Sequence, residues 1–200
     1  MHTKTRLRSA ALWLMIFPAL LIVQSCKKSS GGSDDTGNTS GYYLTASIGG
    51  KDWSANVKSS LQNSPSIAAI TTANGAKIVL LIGVKAVNKD TTAIALIFPQ
   101  NIQLNKPFTF DATKYLEGAY IAEMSAGSGT YYGYNTTPAT GGSGTITVTT
   151  FDQTASVIEG TFSGTFGSQT GRAAIPVTNG KFRCVYTTDN SQLPAPGLKF

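Results

Sequence analysis

The side chains best suited to chemistry are scarce and poorly placed for catalysis: of 200 residues, two are cysteine and one is histidine. The histidine is His2, and Cys26 closes an apolar leader, so a chain cut before Cys26 keeps Cys184 as its other thiol and no imidazole. Ser-His-Asp and Cys-His nucleophile systems, His-ligated zinc, CxxC redox pairs and internal disulfides therefore lack their residues. No cofactor, no metal and no enzymatic activity is expected. A hydrolase working through two carboxylates needs neither His nor Cys and stays open as an alternative. Its candidates, Asp111, Glu117 and Glu123, lie within 13 positions of one another but show no calcium-loop spacing.

Cys26 offers chemistry of another kind. Residues 1–25 read as a lipoprotein signal peptide, with a basic start, an apolar run of 14 residues from Ala10 to Val23, and then Gln24 and Ser25. Such a run falls short of the roughly 20 residues that a membrane-spanning helix needs, which makes it a secretory signal and not an anchor. Val23-Gln24-Ser25-Cys26 resembles a lipobox, in which the thiol takes a diacylglycerol group and the new N-terminus an acyl chain such as palmitate. Several chains on one residue hold a protein on a bilayer, because each buried methylene contributes roughly 0.8 kcal/mol. Residues 26–40 are then the acylated cysteine and a linker, for Lys27 to Ser40 contains no hydrophobic residue and cannot offset the entropy of being ordered. Lys27 stands where an aspartate would signal inner-membrane retention, which points to the outer membrane, on its periplasmic or surface face.

The leader carries Lys4, Arg6 and Arg8, so a formal charge of +6 falls to +3 on its removal, too little and too scattered for a nucleic-acid surface. From Tyr42 the apolar period is 2, and turn residues recur at short intervals. Residues 41–200 are therefore expected to form a single all-β domain, an antiparallel β-sandwich or a partly open β-barrel of about 8–10 strands. Leu44, Ala46 and Ile48 alternate before a Gly49-Gly50 turn, and Trp53, Ala55 and Val57 alternate after it. The runs 77–85 and 92–98 are continuously apolar, as strands covered on both faces are. Ile158, Phe162 and Phe166 share a face with Gly160 and Gly164, which predicts rings lying over neighbouring backbone. A last strand from Lys181 is expected after an Asn179-Gly180 turn, with Phe182, Cys184 and Tyr186 inward and Lys181 and Arg183 outward as guards of an edge. Cys184 reads as a small buried hydrophobe.

The segments YYLTASIGGKDWSA, GTITVTTFD, IEGTFSGTF and TNGKF, in that order, resemble a family of lipoproteins of unknown function from Bacteroidota. The resemblance implies a β-rich exported domain on a lipid anchor and carries over no catalytic or binding residue. It also gives Asp90-Thr91-Thr92 a second reading beside that of a plain turn, since it matches the Asp-Thr-X pattern for O-glycosylation in that phylum, with Thr91 as acceptor.

Recognition is left to the stretch from Gly127 to Gly144 (GSGTYYGYNTTPATGGSG), expected to be a loop without strand periodicity. It gathers Tyr131, Tyr132 and Tyr134, three of the eight tyrosines. Tyrosine among Gly, Ser and Thr is the composition of binding loops, giving rigid contact area at low entropic cost. The competing expectation is that these rings fold back over the core. The functional expectation is a binding or interaction module in the envelope, with a glycan or another envelope protein as partner. The alternative is a structural accessory lipoprotein without a small ligand.

Overall fold

The first hairpin shows how this sequence builds sheet. In the computed structural model, β1 (Tyr43–Ile48) runs into Gly49 and Gly50, at φ of 58° and 80°, and returns as β2 (Lys51–Ser54). Positive φ at both central residues is the condition for a type I′ turn, whose twist matches that of the strands it joins. Leu44, Ala46 and Trp53 are buried, as their alternation predicts. The structure describes residues 41–59, 62–73, 75–110, 117–125 and 130–188, excepting the side chains of 130 and 131.

Further strands are β3 (Ser66–Ala73), β4 (Ala76–Val87), β5 (Asp90–Pro99), β6 (Phe108–Thr109), β7 (Gly118–Ser125), β8 (Thr130–Asn135), β9 (Ser143–Asp152), β10 (Val157–Ser168) and β11 (Ile175–Thr187). The helical content of the described residues is one 3-10 turn at Pro138–Thr140. The fold is all-β, with eleven strands among the described residues, one of them only two residues long.

Two runs of neighbouring strands pack face to face. One is β2-β1-β11-β10-β9-β6 and the other β3-β4-β5-β7-β8. They join at two corners, because β10 and β11 are long enough to serve both. On β11, residues 177–183 pair with β1 while Val185, Tyr186 and Thr187 pair with β3. On β10, residues 157–165 pair with β9 while Gly167 and Ser168 pair with β8. Hydrogen bonding thus closes a ring through β11, β3, β4, β5, β7, β8 and β10, so sandwich and barrel, alternatives in the sequence, coexist. The β11–β3 pairing is parallel, where antiparallel pairing throughout was expected.

The interior is filled from both runs: Leu44, Ile146, Phe162, Phe166 and Phe182 from the first, Val79, Leu81, Ile94, Leu96, Phe98 and Ile121 from the second. The predicted overlap of rings on backbone is present. Gly160 is the cross-strand partner of Phe182 and Gly180 that of Phe162, and a Cβ built on Gly160 would lie 2.6 Å from Cζ of Phe182. Each glycine makes room for the ring opposite, which leaves the two sheets free to close on a pair of phenylalanines.

Three expectations are corrected. Asn179-Gly180 is no turn but a bulge inside β11, where Thr178 and Asn179 together oppose Ser163 and the register shifts against both β10 and β1. Asn179 takes the left-handed conformation (φ 54°) that both a turn and a bulge accept, so its local signal does not separate them. β11 is consequently a central strand, and Lys181 and Arg183 guard no edge. The outer face of β4 and β5 is covered in part and not throughout: Val79, Leu81, Leu96 and Phe98 are buried on the inner face, while on the outer face Ile78, Ala93 and Ile97 are buried and Leu80, Ile82 and Ala95 half-buried.

Candidate functional site

The expected binding loop is mostly structure. Thr130–Asn135 forms β8, paired along β7 with Glu123 opposite Tyr132 and Ile121 opposite Tyr134. The alternation of tyrosine with glycine and tyrosine hides a strand from a search for apolar and polar positions. Tyr134 is 5% exposed and belongs to the core. Tyr132 is half-buried, with the Arg172 guanidinium 3.6 Å above its ring. Arg172 also donates to the Tyr134 hydroxyl at 3.4 Å, a long bond that raises its already high pKa. Both rings therefore fold back and are committed to protein partners; the Tyr131 side chain lies outside the described residues. After β8, buried Asn135 braces the chain: its Oδ1 accepts from the Thr137 amide (3.0 Å), the Thr137 hydroxyl (2.7 Å) and the Thr140 hydroxyl (2.6 Å).

The other candidates separate. Cys26 and Asp111 lie outside the described residues. Glu117, 8% exposed, stands at the start of β7, and Glu123 is six positions further along it, roughly 20 Å at strand rise, so these two acids do not form a carboxylate pair. Thr91 is the second residue of β5, half-buried and paired in register with Ala86 and Met124, while the turn itself is Asn88-Lys89. Cys184 is fully buried, 2.9 Å from the Ser66 hydroxyl, and burial pushes its thiol up to about 12. The thiolate that chemistry would need is suppressed at neutral pH.

What the register does assemble is a polar outer face on the first run of strands. Thr147, Thr161, Lys181, Thr45 and Ser54 are successive cross-strand partners, one row across β9, β10, β11, β1 and β2. In the next row Thr145 faces Ser163, Ser163 faces the Thr178-Asn179 bulge, and Thr178 faces Ser47. A further row holds Glu159, Arg183 and Tyr43, locked together: Arg183 pairs with Glu159 at 2.7 Å, and the Tyr43 hydroxyl donates to the same carboxylate at 3.3 Å. Burial and the Glu159 charge raise the Tyr43 pKa, keeping that hydroxyl a donor.

The two hydroxyl rows border a shallow, solvent-open groove of about 370 Å³ lined by Pro107, Thr145, Thr147, Thr161, Phe162, Ser163, Asn179, Gly180 and Lys181. Hydroxyls donate and accept, and the Asn179 amide does both through separate atoms, so the walls match a ligand that is itself dense in hydroxyls. The bulge is what aims Asn179 into the groove. A regular strand would have sent alternate residues inward, but the extra residue keeps both Thr178 and Asn179 exposed. The alternation of Thr145, Thr147 and Thr149, and of Thr161, Ser163 and Thr165, was visible in the sequence as the polar half of a period of 2. Its meaning depended on β9, β10 and β11 being neighbours, which no local pattern states. Compared with family models, with curated proteins and with solved structures, the chain matches none.

Proposed function

We propose that this protein is an exported lipoprotein, anchored through Cys26 at the outer membrane, whose β-domain binds a glycan in the hydroxyl groove and is not a catalyst. The observation that carries the reading is the groove itself, where four hydroxyls from two strands and one amide from a third line a single cleft. Its volume is at the small end of the roughly 300–1,000 Å³ typical of ligand sites. Its hydroxyls and amide suit a polyol, and Pro107 and Phe162 add an apolar contact for the face of a sugar ring. The leader, the lipobox-like Cys26 and a tether without hydrophobic residues support membrane attachment and a place in the envelope, and the likeness to Bacteroidota lipoproteins agrees with both. Tyr132 and Tyr134, which the sequence offered as ligand contacts, serve the fold in this reading.

The test is a glycan array probed with the full-length protein in detergent and with a Thr147→Val, Thr161→Val variant. Binding to one glycan class, weakened at least tenfold in the variant, is expected. Binding that the variant retains in full moves the ligand elsewhere. A second reading, a structural accessory that docks on another envelope protein, draws on the half-buried aliphatic side chains of Leu80, Ile82 and Val84 on the outer face of β4. Capture of an envelope protein that a Leu80→Ser, Ile82→Ser variant loses would favour it.

A further inference from the structure

Two cations project from β11 onto the polar face, and their surroundings differ. Arg183 is neutralised by Glu159 at 2.7 Å, and that carboxylate also accepts from Tyr43. Lys181 has Thr161 on one side and Thr45 on the other, both uncharged. Among the described residues no carboxylate lies within ion-pair distance of it. Glu159, its diagonal neighbour on β10, is already engaged, and Asp52 stands on β2 opposite Ser47, two strands and one row away.

We infer that the groove selects a saccharide bearing a carboxylate, a uronic acid, with the Lys181 ammonium as the partner of that carboxylate. The inference rests on the glycan reading above and names its substrate class. A Lys ammonium is a compact charge with three donors and no fixed plane, and it reaches a carboxylate from a flexible stem. Charge-assisted bonds of this kind are stronger than those between neutral groups, and here the ammonium gives up only bulk water to make one. The hydroxyls of Thr147, Thr161 and Ser163 and the Asn179 amide read the ring hydroxyls, while Lys181 supplies the discrimination between an acidic ring and its neutral counterpart. Because the groove is open to solvent, the charge-dependent part of the affinity is screened by salt.

The experiment compares oligomers of galacturonate, glucuronate and mannuronate with their fully methyl-esterified forms, which keep every ring hydroxyl and lose the charge. Calorimetry with the full-length protein at low salt is expected to give at least one acid bound about tenfold more tightly than its ester. Lys181→Gln should bring that ratio to about one, and Lys181→Arg should keep part of it. Lys85→Gln, which removes the same charge from the end of β4, should leave the ratio as it is. Acid and ester bound equally, or a preference that survives Lys181→Gln, overturns the inference while the glycan reading stands. No binding to any acid or ester, together with a blank glycan array, overturns both.

Discussion

At the scale of single residues, the aromatic side chains report whether the molecule is built as described. Tyr134 is a core residue whose hydroxyl meets Arg172, so Tyr134→Ser is expected to cost about 3–5 kcal/mol, measured by urea unfolding. A near-silent substitution would mean that the ring serves something other than packing. Gly160→Val tests the opposite kind of fit. Its branched side chain would meet the Phe182 ring and the neighbouring backbone at once, and a loss of about 1–3 kcal/mol is expected. Cys184 adds a dependence on pH. Its folded pKa, pushed up to about 12 from 9.0, exceeds the unfolded value, so its contribution to stability is complete below pH 9 and declines as pH rises from 9 toward 12. The decline approaches about 1.4 kcal/mol per pH unit, and Cys184→Ala should flatten it. Tyr120 adds a similar slope above pH 10, because burial pushes its hydroxyl up to about 12.

The elements differ in how much of themselves the sequence disclosed. β1, β2, β9 and β10 were legible because their alternation is unbroken and their turns carry glycine or aspartate in recognisable places. β8 was not, since Tyr132, Gly133 and Tyr134 present no contrast between faces, and β3 was not, since Ile67, Ala68, Ala69 and Ile70 are apolar on both. The Asn179-Gly180 bulge was legible as a break and illegible as to kind, because only the pairing of β11 with β10 and β1 tells a bulge from a turn. The candidate groove suffered most: its polar residues were in plain view on β9 and β10, but they become a cleft only through the register of three strands distant in sequence. Asn135 is the element-scale test of the braced turn. Removing its side chain takes the shared acceptor from the Thr137 amide and from two hydroxyls that keep each other and the Thr137 carbonyl, and Asn135→Ala is expected to cost about 1–3 kcal/mol and to speed hydrogen exchange at Thr137. Unchanged exchange there would show the turn to be held by other means.

At the scale of the whole molecule, the two outer faces are chemically opposite, hydroxyls on β9, β10, β11 and β1 and aliphatic side chains on β3, β4 and β5. Cys26→Ala is expected to abolish labelling by a fatty-acid analogue and release the protein from membranes; retained labelling would place the anchor elsewhere. The central claim is that the hydroxyl groove is where this protein meets its ligand. The most direct measurement is amide chemical-shift mapping of the isotopically labelled protein during titration with a glycan that it binds. Shifts are predicted to concentrate at Thr145, Thr147, Thr161, Ser163, Asn179 and Lys181 and to spare Tyr132 and Tyr134. Shifts centred on β8 and Arg172, with the groove silent, would contradict the account.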